Sequence, residues 1–128
     1  MKIIVDRRTW YRGQGSDSSY LLTFEGDENA SNERLCCVGF VCRAMHYNDS
    51  LLRGVQTIAK IDGDDYCDPF PKDWLQQSPS DEDASSHETP EFFELYKIND
   101  DEIITDEERE AALIMQAHPL GIEFEFVN

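Results

Sequence analysis

Positive charge is what this 128-residue chain has least of: Lys and Arg together number 11 against 27 Asp and Glu, for a formal charge of −16. A protein that grips duplex nucleic acid draws affinity from cations that displace phosphate counterions, so direct nucleic-acid binding is not the expected role. Long apolar runs are missing too. The longest, Leu35 to Cys42, has eight residues including Gly39, far short of the ~20 that cross a bilayer. Cysteines number four, two of them adjacent, a poor basis for the disulfide framework of a secreted domain. The opening MKIIVDRRTW has neither the apolar centre nor the small-residue cleavage site of a signal peptide. The expectation is one domain over residues 1–128, soluble and in a reducing, intracellular setting. With 40% hydrophobic residues and a mean hydropathy of −0.57, a core is expected, small relative to the surface.

The charge that is present is lopsided. Residues 1–60 hold eight basic and seven acidic side chains, whereas residues 61–128 hold three basic and twenty acidic ones. Self-repulsion at that density lowers stability. Acid in this amount either solubilises the molecule or meets a basic partner. The basic trio Arg7, Arg8 and Arg12 is expected to find acidic partners within the chain.

Patterning gives most of the elements. Lys2 to Asp6 is β-branched and apolar, a strand. Leu35 to His46 carries two apolar stripes at helical spacing and reads as a helix, with Gly39 allowing a neighbouring backbone to come close; the short apolar run Leu35 to Val41 also fits a strand. Asn48-Asp49-Ser50 offers N-caps for a brief turn through Leu52, closed by Gly54. Val55 to Ile61 alternates weakly and reads as a strand. Phe92, Phe93, Leu95 and Ile98 resume core character as a helix. Thr105-Asp106-Glu107-Glu108 is a capping box opening a helix that runs to about Ala117, before Pro119. Ile122, Phe124 and Phe126 alternate with Glu123 and Glu125, a half-buried strand. Residues 78–90 (SPSDEDASSHETP) lack large apolar side chains and read as a mobile acidic loop. The fold class expected is α+β: a small sheet including the N- and C-terminal strands, packed on two or three helices.

Sites of chemistry are sparse. Cys36, Cys37, Cys42 and Cys67 lack the paired spacing that lets thiolates grip zinc; on a helix Cys36 and Cys42 diverge by about 120°. They read as buried structural cysteines, with no metal and no cofactor expected. No local signature ties His46, His87 or His118 to a cysteine, so no catalytic residue is assigned. Asp62, Asp64, Asp65 and Asp68 do not follow the ligand spacing of a calcium loop. What remains is acid on several elements at once. The candidate partner-binding residues are Asp62, Asp64 and Asp65 in one patch, and Asp100, Asp101, Glu102, Asp106, Glu107 and Glu110 in another. Rows of carboxylates at helix or strand spacing can imitate a nucleic-acid backbone for a protein built to grip one.

Several strings together carry a resemblance: Thr9-Trp10-Tyr11-Arg12-Gly13-Gln14-Gly15, Ser19-Tyr20-Leu21-Leu22, Cys36-Cys37-Val38-Gly39-Phe40, Ile98-Asn99-Asp100-Asp101, and Gly121-Ile122-Glu123-Phe124-Glu125-Phe126. They resemble a group of small phage and prophage proteins with a TWxRGxG start, a CCLGF helix, an INDD element and a GIxVxF end. Val38 stands where leucine is usual, and the acidic middle is long. The group lends no activity. It implies a phage setting and the host cytoplasm, where small acidic proteins often block a host enzyme or defence system. DNA-mimicking anti-CRISPR and anti-restriction proteins are the functional analogy. The expected function is a non-enzymatic inhibitor whose acidic surface occupies the basic nucleic-acid groove of a host protein. The alternative is a small enzyme or ligand-binding protein using the Trp10–Arg12 region and the Cys36–Cys42 helix. A third reading is an accessory protein bound through apolar surface, its acid serving solubility.

Overall fold

Alternating exposure marks both ends of the chain as strand. Lys2–Asp6 forms β1, with Ile3 and Val5 turned inward and Lys2 and Ile4 in solvent. The computed structural model describes residues 1–13, 15, 20–23, 34–61, 70, 71, 73–77 and 86–128, with backbone alone at 60, 76, 77, 86 and 87. After β1 come helix α1 (Cys37–Ala44), the single-turn helix α2 (Asp49–Leu52), and strands β2 (Leu75–Gln77) and β3 (Ser86–Glu88). Helices α3 (Pro90–Asp100) and α4 (Asp106–Ala117) then lead to β4 (Glu123–Val127). β4 lies parallel to β1, Ile3 opposite Phe124 and Val5 opposite Phe126, so the two ends share a sheet. A parallel pair needs a long crossover; here it is everything between. α1 packs on β1 and α3, and α4 packs on α3 and β4. The fold is α+β, as the sequence led one to expect.

Close packing explains α1. Gly39 lies against the passing backbone of Leu21, and a Cβ built there would stand 2.0 Å from the Leu21 carbonyl oxygen. The helix starts two residues later than the apolar run because Leu35 is committed elsewhere. It accepts from Tyr11 N and donates to Thr9 O, bridging to the first loop.

Thr89 caps α3 by accepting from Phe92 N, with Pro90 in the first turn, where its missing N–H costs nothing. The buried face is Phe92, Leu95, Tyr96 and Asn99. That phase leaves Phe93 in solvent and Ile98 half-buried, although both were expected in the core. Trp74 stacks on Phe92 at 5.2 Å and donates its indole N–H to Leu120 O, tying the β2 end to the chain's last turn.

Val55 to Ile61 does not form the expected strand. Two of its backbone donors are taken by side chains, Ile58 N by the Tyr96 hydroxyl at 3.0 Å and Ala59 N by Glu88 at 3.1 Å. A 3₁₀ turn at Ile58–Lys60 results. The β2–β3 pair has no counterpart in the patterning: apart from Leu75 its residues are polar, and each strand has three. β3 and the Thr89 cap take up the C-terminal part of the loop expected at 78–90, and 78–85 lie outside the described residues.

Candidate functional site

Asn99, fully buried at the C-terminal end of α3, is where three of the distinctive strings meet. Its Oδ1 accepts from the Trp10 indole N–H at 2.8 Å and from Cys37 N at 3.1 Å, and its Nδ2 donates to Tyr11 O at 3.0 Å. Gly13 N and Gly15 N then donate to the carbonyls of Asn99 and Asp100, both at 2.8 Å. These are carbonyls that a helix end leaves without partners. Glycine suits both places because φ is positive there, +73° and +64°. The first loop is thereby clamped onto the end of α3.

Guanidinium groups hold the next turn. Arg109 is 3% exposed; it donates to the Asp106 carboxylate and to the carbonyls of Asp101 and Ile104, and lies against Gly13. Arg12 stacks over Trp10, 4.4 Å from the ring centroid, and donates to Asp106 Oδ2 at 3.0 Å. Asp106 is therefore gripped from two sides, and its carboxyl is held below the usual aspartate range, first by the Arg12 hydrogen bond. Arg7 makes a bidentate pair with Glu110 at 2.9 and 2.7 Å. Arg8 pairs with Asp6, whose carboxyl it pulls down to about 2. The expectation that Arg7, Arg8 and Arg12 find internal acidic partners holds.

These pairs divide the candidate carboxylates. Asp106 and Glu110 are engaged by arginines within the chain, while Asp62, Asp64 and Asp65 lie outside the described residues. Asp101 accepts from Ile103 N at 2.9 Å, turning the chain between α3 and α4. Asp100 accepts from Asn99 Nδ2 at 3.3 Å. Glu102 and Glu107 are exposed and make no hydrogen bond or ion pair among the described residues. Asp100, Asp101 and Glu102 border an open groove of about 530 Å3 whose walls include Phe93, Tyr96 and Ile103. No sequence pattern pointed to that groove; the one available sign was Ile103, an isoleucine set among acidic residues.

The Trp10–Arg12 and cysteine-helix constellation lies largely inside the core. Trp10 is 2% exposed, and Cys36, Cys37 and Cys42 are wholly buried. Burial pushes the Cys36 thiol up to about 12 and Cys37 well above its ordinary value, so neither supplies a thiolate at neutral pH. Over Arg12 a polar cleft of about 400 Å3 opens between Arg7, Arg8, Arg34 and Tyr11. No group of three metal-ligating side chains occurs among the described residues. No helix there is long and apolar enough to cross a membrane. No protein-family profile, curated protein or solved structure matches the chain.

Proposed function

We propose that the protein is a phage-encoded inhibitor of a host defence or nucleic-acid-processing protein, docking its acidic α3–α4 corner into a cationic cleft that otherwise holds nucleic acid. The observation that carries this reading is the placement of Glu102 and Glu107, exposed and without an internal cation among the described residues, close in the chain to Asp100 and Asp101. They stand on a junction fixed by Asn99 and the buried Arg109. Carboxylates on a rigid support offer a basic groove charge in place of phosphate, and the counterions released are the partner's. Asp106 and Glu110 serve that support rather than the contact. The phage setting comes from the resemblance of the Thr9–Gly15, Cys36–Phe40, Ile98–Asp101 and Gly121–Phe126 strings.

The test is a phage challenge of a bacterial strain carrying a restriction or CRISPR system, with and without the protein expressed. The wild-type chain is expected to raise phage plating, and Glu102→Lys with Glu107→Lys to abolish that effect while the chain still folds, read as an unchanged circular dichroism spectrum. With the purified defence enzyme, displacement of bound DNA by the wild-type chain should weaken steeply as salt is added. Equal protection by the double variant overturns the reading.

A further inference from the structure

Charge alone does not account for the groove at the α3–α4 junction. Phe93 is 40% exposed and Ile103 90% exposed, and both line its wall with Tyr96. A lone exposed apolar side chain is ordinary, but exposed apolar side chains that share one surface under a polar rim mark contact sites. The Lys97 ammonium lies 5.7 Å from the Phe93 ring centroid, so one cation already rests over this aromatic surface. Asp101 and Glu102 stand at the rim.

An apolar wall under an acidic rim selects among occupants. A second copy of the chain would bring its own charge of −16 and set acid against acid. An anionic lipid surface is repelled in the same way, and a neutral apolar molecule gains nothing from the rim. A cationic segment carrying one apolar side chain gains from both. We infer that the groove takes a basic segment of the partner protein, seating an aliphatic or aromatic anchor against Phe93 and Ile103 with flanking Lys or Arg on Asp101 and Glu102. The inference rests on the acidic docking proposed above and specifies the chemistry of the partner. The anchor supplies the affinity of buried apolar surface, and the carboxylates set orientation and on-rate.

Three synthetic peptides titrated into the full chain, followed by amide shifts in NMR, test it. One is lysine-rich with a central leucine, the second has alanine for that leucine, and the third has glutamate for every lysine. The leucine peptide is expected to bind about ten-fold tighter than the alanine peptide, shifting residues 93, 97 and 103. Ile103→Ser, on an exposed turn, and Phe93→Ala should each erase that ratio; Ile103→Ser decides if Phe93→Ala fails to fold. Equal binding of the leucine and alanine peptides overturns the groove and leaves the acidic docking standing. Equal binding of the leucine and glutamate peptides overturns both. Dimerisation that Ile103→Ser abolishes assigns the groove to a second copy and overturns the inference.

Discussion

Asn99 bonds at once to the first loop, to the start of α1 and, through Asp100, to the end of its own helix. Replacing it by alanine leaves the buried Trp10 N–H and Cys37 N–H without an acceptor, and each such orphan costs about 1–3 kcal/mol. Asn99→Ala should therefore lose roughly 2–6 kcal/mol, read as a lower urea midpoint at unchanged slope. Trp10→Phe removes one of the two donors, so its cost and that of Asn99→Ala should add to more than the double variant loses. Gly39 is decided by magnitude as well. Alanine there would gain about 1 kcal/mol in helix propensity. Its Cβ would meet the Leu21 carbonyl oxygen at 2.0 Å, a backbone atom that cannot swing aside. Overpacking wins, and Gly39→Ala should destabilise by about 3 kcal/mol in the same measurement.

Among the elements, α4 shows what local sequence can carry. Glu108 N donates to the Thr105 hydroxyl at 3.2 Å, and Glu108 Oε1 accepts from Thr105 N at 3.1 Å, the reciprocal pair that the T-x-x-E spacing implied. Thr105→Ala should cost about 1 kcal/mol, seen as a lower melting temperature with less helix by circular dichroism. The two end strands and the helices were legible for the same reason: alternation, helical spacing and caps are properties of neighbouring residues. What was not legible depends on distant partners. The Val55–Ile61 segment alternates like a strand, yet Tyr96 and Glu88 take two of its amides. The phase of α3 is set by what Trp74 and the first loop offer it, which put Asn99 inside and Phe93 outside. The candidate site was half legible. The sequence located acid at 100–110, but only the fold reveals that Arg7, Arg12 and Arg109 take Glu110 and Asp106. It is also the fold that sets a groove beside the rest.

At the scale of the whole molecule, two electrostatic effects oppose each other. Asp106 is held below the 3.8 of an ordinary aspartate by Arg12 and Arg109, and Asp6 falls to about 2 beside Arg8. The folded chain therefore binds fewer protons at these sites than the unfolded one. Their contribution is complete above about pH 4 and is lost as acid carries the pH down through the lowered values. The remaining carboxylates repel one another at neutral pH, and that repulsion fades as the pH approaches the isoelectric point near 4.3. Melting temperature should accordingly rise on mild acidification from pH 7 and fall again below about pH 4, with Asp106→Asn flattening the acid limb. Raising salt from ~0.01 to ~0.1 M shortens the screening length from ~30 to ~10 Å, which relieves long-range repulsion more than it weakens contact pairs. Salt should therefore raise the melting temperature at pH 7, by a few degrees, and change it little near pH 4.3. The same salt should weaken binding to a basic partner, because there the carboxylates attract. Stability and binding moving in opposite directions on one salt axis would separate a docking charge from a folding one. A melting temperature that falls with salt at pH 7 would mean that the arginine pairs, and not the unpaired acid, dominate the field.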